Sequence, residues 1–143
     1  MGMVYAEITL KNVRDEGCAR DGHIKEEEVR IATVTALVDT GAATLVINEK
    51  VRQELGLEIA GTRRARLADG TVRNCAKTEP VKVQWKNRDM TCQPLLLPNS
   101  KHVFLGAVPL EDMDLIVNPV TQELVGAHGE EILSIICQAG ALI

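Results

Sequence analysis

One tripeptide in this chain has the residue types that hydrolytic chemistry needs. Asp39-Thr40-Gly41 follows the apolar residues Ala36-Leu37-Val38, and the apolar pattern resumes at Ala42 and Ala43. An ionised acid buried without partners is costly, so an acid in such a setting is usually paired, neutralised or used in function. An ionised carboxylate accepts a proton from water, and a neutral one donates a proton. Which of these three cases applies to Asp39 depends on what the rest of the chain provides.

The segments around this tripeptide are predicted to be strands and one short helix. The β-branched content of residues 29–38 predicts a strand that leads into Asp39. Residues 4–10 alternate between apolar and polar side chains, as a half-buried strand does, and residues 44–47 predict another short strand. Asn48 as N-cap and a stop at Gly56 predict a helix between them.

Asp69-Gly70 predicts a β-hairpin at residues 63–75. The dipeptide lies between two alternating segments and is preceded by Leu67 and Ala68. Asp-Gly is a strong hairpin signal because a type I′ turn requires positive φ at both central residues. The sequence therefore predicts a projecting hairpin with Leu67, Ala68, Asp69 and Gly70 at its tip.

The remaining segments predict further short strands joined by turns. Residues 86–89 are interpreted as a polar turn, and a helical turn is expected within residues 108–114, beginning at Pro109. Residues 130–137 fit either a short helix or an interface strand. The predicted strands are residues 80–85, 90–97, 115–117 and 123–125. Many short strands with regularly spaced turns predict an all-β barrel or sandwich.

The motifs occur in the order found in a known family. Residues 36–43 resemble the active-site motif of the aspartic peptidases, and residues 67–70 lie where that family has its flap. Phe104-Leu105-Gly106 resembles the family's second motif, two hydrophobic residues and a glycine, which precedes a short helix. The order and spacing resemble the retropepsin-like, single-domain branch. The resemblance implies an all-β, closed-barrel acid-protease fold with a flap hairpin and one or two short helices.

The resemblance also implies a reaction and an assembly. Because the chain has one Asp-Thr-Gly, the family's solution is a homodimer in which the two Asp39 carboxylates activate a water that hydrolyses a peptide bond. Thr40 would then join the two active-site loops, and Gly41 and Ala42 would contact the peptide substrate. Leu67, Ala68, Asp69 and Gly70 would close over that substrate as the flap.

Two other interpretations of the tripeptide are open. Asp-Thr-Gly also occurs in ordinary turns, since Asp and Gly both favour them. A retropepsin-like domain could also serve as a non-proteolytic dimerisation or binding module. Three features depart from the family pattern: the polar segment 11–28, expected to be a surface insertion, the charged residue Asp69 at the hairpin tip, and the tail 127–143, a possible dimer-interface segment.

Composition argues against nucleic-acid, metal, cofactor and membrane partners. A chain of 143 residues is expected to form a single domain, residues 1–143. Three aromatic residues, a net charge of −4 and no basic stripe argue against a nucleic-acid partner. The four cysteines are widely spread, so neither a metal site nor a cofactor is expected, and reduced thiols favour the cytoplasm. A membrane partner is not expected, because no apolar run is long enough to cross a bilayer.

Overall fold

A computed structural model describes residues 2–136 of the chain. Strand β1 (Val4–Asn12) and strand β2 (Ile31–Val38) form an antiparallel pair in which Ile8 lies opposite Val34. Burial alternates along β1, and Ile8 and Leu10 have no exposed surface. Each such aliphatic side chain contributes about 1.5–3 kcal/mol by its burial. The predicted period-two strand is confirmed.

The strands of residues 2–136 form one curled, half-barrel sheet of nine strands and a separate two-stranded sheet. The remaining strands are β3 (Val46–Ile47), β4 (Ile59–Arg66), β5 (Val72–Thr78), β6 (Val81–Trp85), β7 (Arg88–Cys92), β8 (Leu95–Leu96), β9 (Val103–Leu105), β10 (Leu115–Asn118) and β11 (Glu123–Gly126). The large sheet has the order β4-β5-β8-β3-β9-β2-β1-β6-β7, and β10 pairs with β11. The all-β class is confirmed; the expected closed barrel is observed as a curled sheet whose outermost strands are β4 and β7.

Most pairs in the large sheet are antiparallel, but two are parallel. Strand β2 pairs in parallel with β9, and β3 pairs in parallel with β8. The core between them is aliphatic, with Ala36, Leu45, Ile47 and Leu105 fully buried. The ends of β2 and β9 therefore lie side by side over a tightly packed interior.

Within residues 2–136, three short helices connect the strands. They are α1 (Val13–Arg20), α2 (Glu49–Leu55) and α3 (Ala107–Asp112). The start and end of α2 agree with the sequence, because the Asn48 side chain accepts a hydrogen bond from the Val51 amide and Gly56 has a φ of 63°. Helix α3 begins at Ala107, two residues before the predicted start at Pro109.

Residues 11–28, expected to be a polar surface insertion, form a long connection between the antiparallel strands β1 and β2, but they are not an irregular loop. Strand β1 continues to Asn12, helix α1 follows, and a 3-10 turn covers Glu26–Glu28. Asn12 is fully buried; its side chain accepts a hydrogen bond from the Asp15 amide and donates one to the Leu55 carbonyl over 2.8 Å. A buried polar anchor, rather than an apolar stripe, fixes this helix to the body.

Three smaller differences from the sequence predictions are found in the second half of the chain. The polar turn predicted over residues 86–89 is confined to Lys86 and Asn87, and Arg88 is a buried residue of β7. The single strand predicted over residues 90–97 is divided between β7 and β8. In residues 130–136 the structure has neither of the two predicted elements, helix or strand, apart from one bridge between His128 and Glu131. Cys137 and the rest of the tail lie outside the described residues.

Candidate active site

Asp39 lies directly after β2, where this strand runs beside β9. Val38 is in register with Leu105, and the Asp39 amide donates a hydrogen bond to the Leu105 carbonyl over 3.0 Å. The main chain of Asp39 is therefore fixed by the last hydrogen bond of the parallel pair. The apolar strand in the sequence thus serves to hold one carboxylate at the sheet end.

The loop that follows holds the carboxylate in one orientation. The Gly41 amide donates to Oδ1 of Asp39 over 2.9 Å, and the Ala42 amide donates to the Asp39 carbonyl over 3.1 Å. Asp39 itself is half-buried, whereas Thr40 and Gly41 are exposed. The ion pairs found within residues 2–136 do not include Asp39. The loop therefore presents a preoriented acid at the surface without a cationic partner in the described chain.

The same loop is attached to the start of α3. The Ala107 amide donates to the Ala42 carbonyl over 2.8 Å, and the Val108 amide donates to the Ala43 carbonyl over 3.0 Å. Gly106 allows this approach, because a Cβ atom there would lie 2.6 Å from the Ala42 carbonyl oxygen. The sequence indicated Gly106 only as part of a motif, and its packing against the loop was not predicted.

The hairpin residues form a second, separate group. Strands β4 and β5 pair as predicted, and the Gly70 amide closes the turn by donating to the Leu67 carbonyl over 2.9 Å. A type I′ turn requires positive φ at both Asp69 and Gly70, but of these two only Gly70 has it, with a φ of 87°. The predicted type I′ turn is therefore wrong. The arrangement is that of a type I turn followed by a left-handed glycine. Leu67 and Gly70 thus lie at the tip with Ala68 and Asp69, as predicted.

The Asp69 side chain accepts hydrogen bonds within its own turn. Its Oδ1 accepts hydrogen bonds from the Thr71 hydroxyl over 2.6 Å and from the Thr71 amide over 2.9 Å. These bonds hold the pKa of the Asp69 carboxyl below its usual range. Within residues 2–136, no hydrogen bond joins this tip to the Asp39 loop. One chain therefore brings Asp39, Thr40, Gly41 and Ala42 together but leaves the tip residues on a different element.

Asp114 follows helix α3, and its carboxylate contacts residues beyond β11 rather than its own loop. Its Oδ2 contacts Nδ1 of His128 at 2.7 Å and accepts a hydrogen bond from the Leu133 amide over 3.0 Å. Buried Arg88 donates to the main-chain carbonyls of Met113 and Asp114 and, beyond β11, to that of Gly129. These contacts attach the segment after β11 to the body, and no sequence pattern had indicated them.

The described residues offer little support for metal binding or for thiol chemistry at Cys92. Residues 2–136 contain no group of three or more His, Cys, Asp or Glu side chains placed to hold a metal ion. Burial raises the pKa of the Cys92 thiol to about 12, which keeps it protonated and unreactive near neutral pH. None of the helices of this part of the chain is long and apolar enough to cross a membrane.

Known proteins resemble this chain in sequence and in fold. The family model of the gag-polyprotein putative aspartyl protease matches residues 26–112, more than half of the chain. No curated protein matches it in sequence. The retroviral protease-like domain of Ddi1 from Leishmania major superposes with a TM-score of 0.55 at 14% identity, covering 97% of this chain and 98% of that one.

A retropepsin-like aspartic protease from Rickettsia conorii is a second structural match. It has 15% identity and a TM-score of 0.44, with coverage of 82% of this chain and 89% of that one. The family match includes the Asp39 loop, the β4–β5 hairpin and Gly106. The chain therefore belongs to the family of gag-polyprotein putative aspartyl proteases, and its fold is similar to that of a retroviral protease-like domain.

Proposed function

We propose that the protein is a homodimeric aspartic endopeptidase in which Asp39 is the catalytic residue. The observation that carries the proposal is the Asp39 carboxylate, half-buried at the end of an apolar strand and oriented by the Gly41 amide. No cation neutralises it within residues 2–136. A fixed acid at a surface with no charge partner suits a site that a second carboxylate completes.

Two carboxylates that share one proton supply both roles in peptide hydrolysis. The ionised one takes a proton from the attacking water, and the neutral one donates a proton to the carbonyl oxygen of the peptide. Like charges about 3 Å apart resist ionising together, so the two ionisations separate, as is well known for aspartic proteases. The resulting pKa values belong to the pair and not to one Asp39.

The second carboxylate comes from a second copy of the chain. Asp-Thr-Gly occurs once in the sequence, and Asp114 is already bound to His128 and the Leu133 amide. A two-fold axis beside Asp39 brings the same residue of both copies together, since an isologous interface pairs each surface with itself. Thr40, exposed next to Asp39, then contacts the partner loop and fixes the two loops to each other.

The peptide substrate lies between the active-site loops and the hairpins. Gly41 has no side chain, so the substrate backbone approaches the carboxylates closely, with Ala42 beside it. The tip residues Leu67, Ala68, Asp69 and Gly70 act as the flap, which closes over the substrate and excludes water. The projecting β4–β5 hairpin, exposed over most of its length, is suited to this movement.

The segment after β11 offers an apolar surface to the partner. The described tail residues with large exposed apolar side chains are Ile132, Leu133, Ile135 and Ile136; the exposed fraction of Ile135 is 92%. Exposed apolar residues grouped in one segment are typical of an interaction surface. We assign residues 130–136 to the dimer interface on this basis, as part of the tail 127–143.

Replacing one carboxylate tests the proposal. Asp39→Asn keeps the size of the side chain and its contact with Gly41 but removes the acid. Cleavage of a mixed peptide library, measured by mass spectrometry at pH 4–7, is expected to cease, with the greatest wild-type activity on the acidic side. A statine-type compound is expected to block the wild type. Asp89→Asn makes the same chemical change at an exposed position of β7 and is expected to retain activity.

The outcomes separate the enzyme from a binding module of the same fold. Sedimentation velocity should show a dimer for the wild type, for Asp39→Asn and for Asp89→Asn. Equal cleavage by the wild type and Asp39→Asn would exclude Asp39 as the catalytic residue. A wild-type dimer that cleaves no peptide at any pH would instead identify a dimerisation module.

A further inference from the structure

The β4–β5 hairpin carries positive charge that forms no ion pair with the rest of the described chain. Exposed Arg63, Arg64, Arg66 and Arg73 are within residues 59–78 with a single acid, Asp69, although the whole chain has a net charge of −4. None of these arginines forms an ion pair within residues 2–136. The hairpin is therefore a cationic arm on an acidic body.

Three arginines in the body of the protein are instead paired with acids. Arg14 pairs with Glu79, Arg30 with Asp15 and Arg52 with Glu49, at 2.9, 2.7 and 2.5 Å. The acid nearest in sequence to the hairpin arginines, Asp69, is already bound by Thr71. The hairpin guanidinium groups consequently keep their hydrogen-bond donors for a ligand.

The register places like charges next to one another on both faces of the hairpin. Arg64 and Arg66 are two residues apart on β4, so they share one face. Arg63 lies opposite Cys75, and Arg73 lies opposite Ala65, which makes Arg63 and Arg73 diagonal neighbours on the other face. Like charges at such short separations repel each other. This arrangement weakens the isolated hairpin and favours a partner that supplies negative charge.

Strand β4 also has a free edge. It is the outermost strand of the sheet order, and within residues 2–136 its outer edge pairs with no other strand. Residues Gly61–Arg66 pair with β5 without a break, so the outer edge presents main-chain donors and acceptors in regular alternation. An extended peptide binds to such an edge by adding a strand to the sheet.

We propose that the outer edge of β4 binds an extended acidic peptide as an added strand. Alternate residues of a strand are about 6.6 Å apart, so two glutamates separated by one residue match Arg64 and Arg66. Guanidinium groups bind carboxylates with two parallel hydrogen bonds. The hairpin segment 59–78 contains no aromatic residue for base stacking, so a peptide is the ligand and not a single-stranded nucleic acid.

Peptide binding is measured by fluorescence anisotropy at low salt, in the Asp39→Asn chain so that the peptide stays intact. The probe is a labelled peptide of alternating valine and glutamate. Arg64→Gln/Arg66→Gln is expected to weaken its binding by roughly fivefold to tenfold, the contribution of two exposed ion pairs. Arg20→Gln/Lys101→Gln removes the same charge from exposed positions outside the hairpin and is expected to leave binding unchanged.

Further probes separate strand addition from simple charge attraction. The same peptide N-methylated at alternate residues keeps its charge but cannot pair fully with β4, and it is expected not to bind. This comparison needs no protein variant and holds even where a variant fails to fold. Equal loss in both double variants, equal binding of the N-methylated peptide or no binding of the peptide would overturn the proposal. An oligonucleotide of the same charge that binds as tightly, with the same arginine dependence, would also overturn it.

Discussion

The main-chain amide of Ala107 donates a hydrogen bond to the carbonyl oxygen of Ala42 over 2.8 Å. This contact joins the first turn of α3 to the loop that carries Asp39. The residue between β9 and α3 is Gly106, and a Cβ atom there would lie 2.8 Å from the Thr44 amide and closer still to the Thr44 carbonyl. The position of the acid thus depends on a glycine 67 residues further along the chain.

Gly106→Ala is expected to destabilise the protein by about 1–3 kcal/mol, because the added methyl group meets main-chain atoms that cannot rotate away. Urea titration measures the change in the free energy of unfolding. Gly17→Ala is the matched control: its Cβ would meet only the end of the Arg20 side chain at 3.5 Å, and alanine favours helix α1 by about 1 kcal/mol. Destabilisation by both substitutions to the same extent would contradict this interpretation of Gly106.

Asp15 anchors α1 through Arg30. Nε of Arg30 donates to Oδ2 of Asp15 over 2.7 Å, and the Arg30 amide donates to the same atom over 3.1 Å. The side-chain hydrogen bond from Arg30 is the main cause that lowers the pKa of the Asp15 carboxyl. Asp15→Asn is expected to cost about 1–2 kcal/mol at pH 7, a value reduced because the Arg30 side chain is 44% exposed.

The same pair predicts a dependence on pH. Because the pKa of Asp15 is lower in the folded than in the unfolded state, its contribution is fully present above the unfolded pKa, about 3.9, and is lost as pH falls through the folded pKa. Urea titrations at several pH values are expected to show the wild type and Asp15→Asn converging in stability below about pH 4. Asp89→Asn, exposed on β7, serves as control. A constant difference across this range would contradict the assignment.

Asp114 holds the segment after β11 against the body. Hydrogen bonds from the Leu133 amide and from His128 lower the pKa of its carboxyl, so the contact is present near neutral pH and is lost in acid. Asp114→Asn removes the charge while keeping a residue type that tolerates its φ of 56°. Hydrogen exchange at the Leu133 amide is expected to accelerate. Asp112→Asn, an exposed change at the end of α3, should leave that exchange rate as in the wild type.

Local signals in the sequence were sufficient to predict the elements that position Asp39. The apolar run before Asp39, the N-cap Asn48 and the left-handed Gly70 each describe a structure that forms over a few residues. The pairing of β2 with β9 is different, because Leu37 meets Phe104 only in the folded chain. Alternation within either segment does not specify such a partner.

The incorrect predictions for α1 and Arg88 each have a physical reason. Helix α1 was not predicted because its buried anchors are Asn12 and Asp15, so it lacks the apolar period on which helix prediction depends. Gly17 within it lowers the helix propensity further. Arg88 was predicted to lie in an exposed turn, yet it is buried and donates to the carbonyls of Met113, Asp114 and Gly129. A buried charged residue whose partners are main-chain carbonyls cannot be recognised from the sequence pattern.

A crystal structure of the assembled protein tests the central claim most directly through one distance, that between the Asp39 carboxylates of two neighbouring copies. If Asp39 is half of a shared site, the two carboxylates lie within hydrogen-bonding reach, about 3 Å apart across a two-fold axis. Asp39 carboxylates that face solvent separately, or that lie well beyond hydrogen-bonding distance in the dimer, would contradict the account.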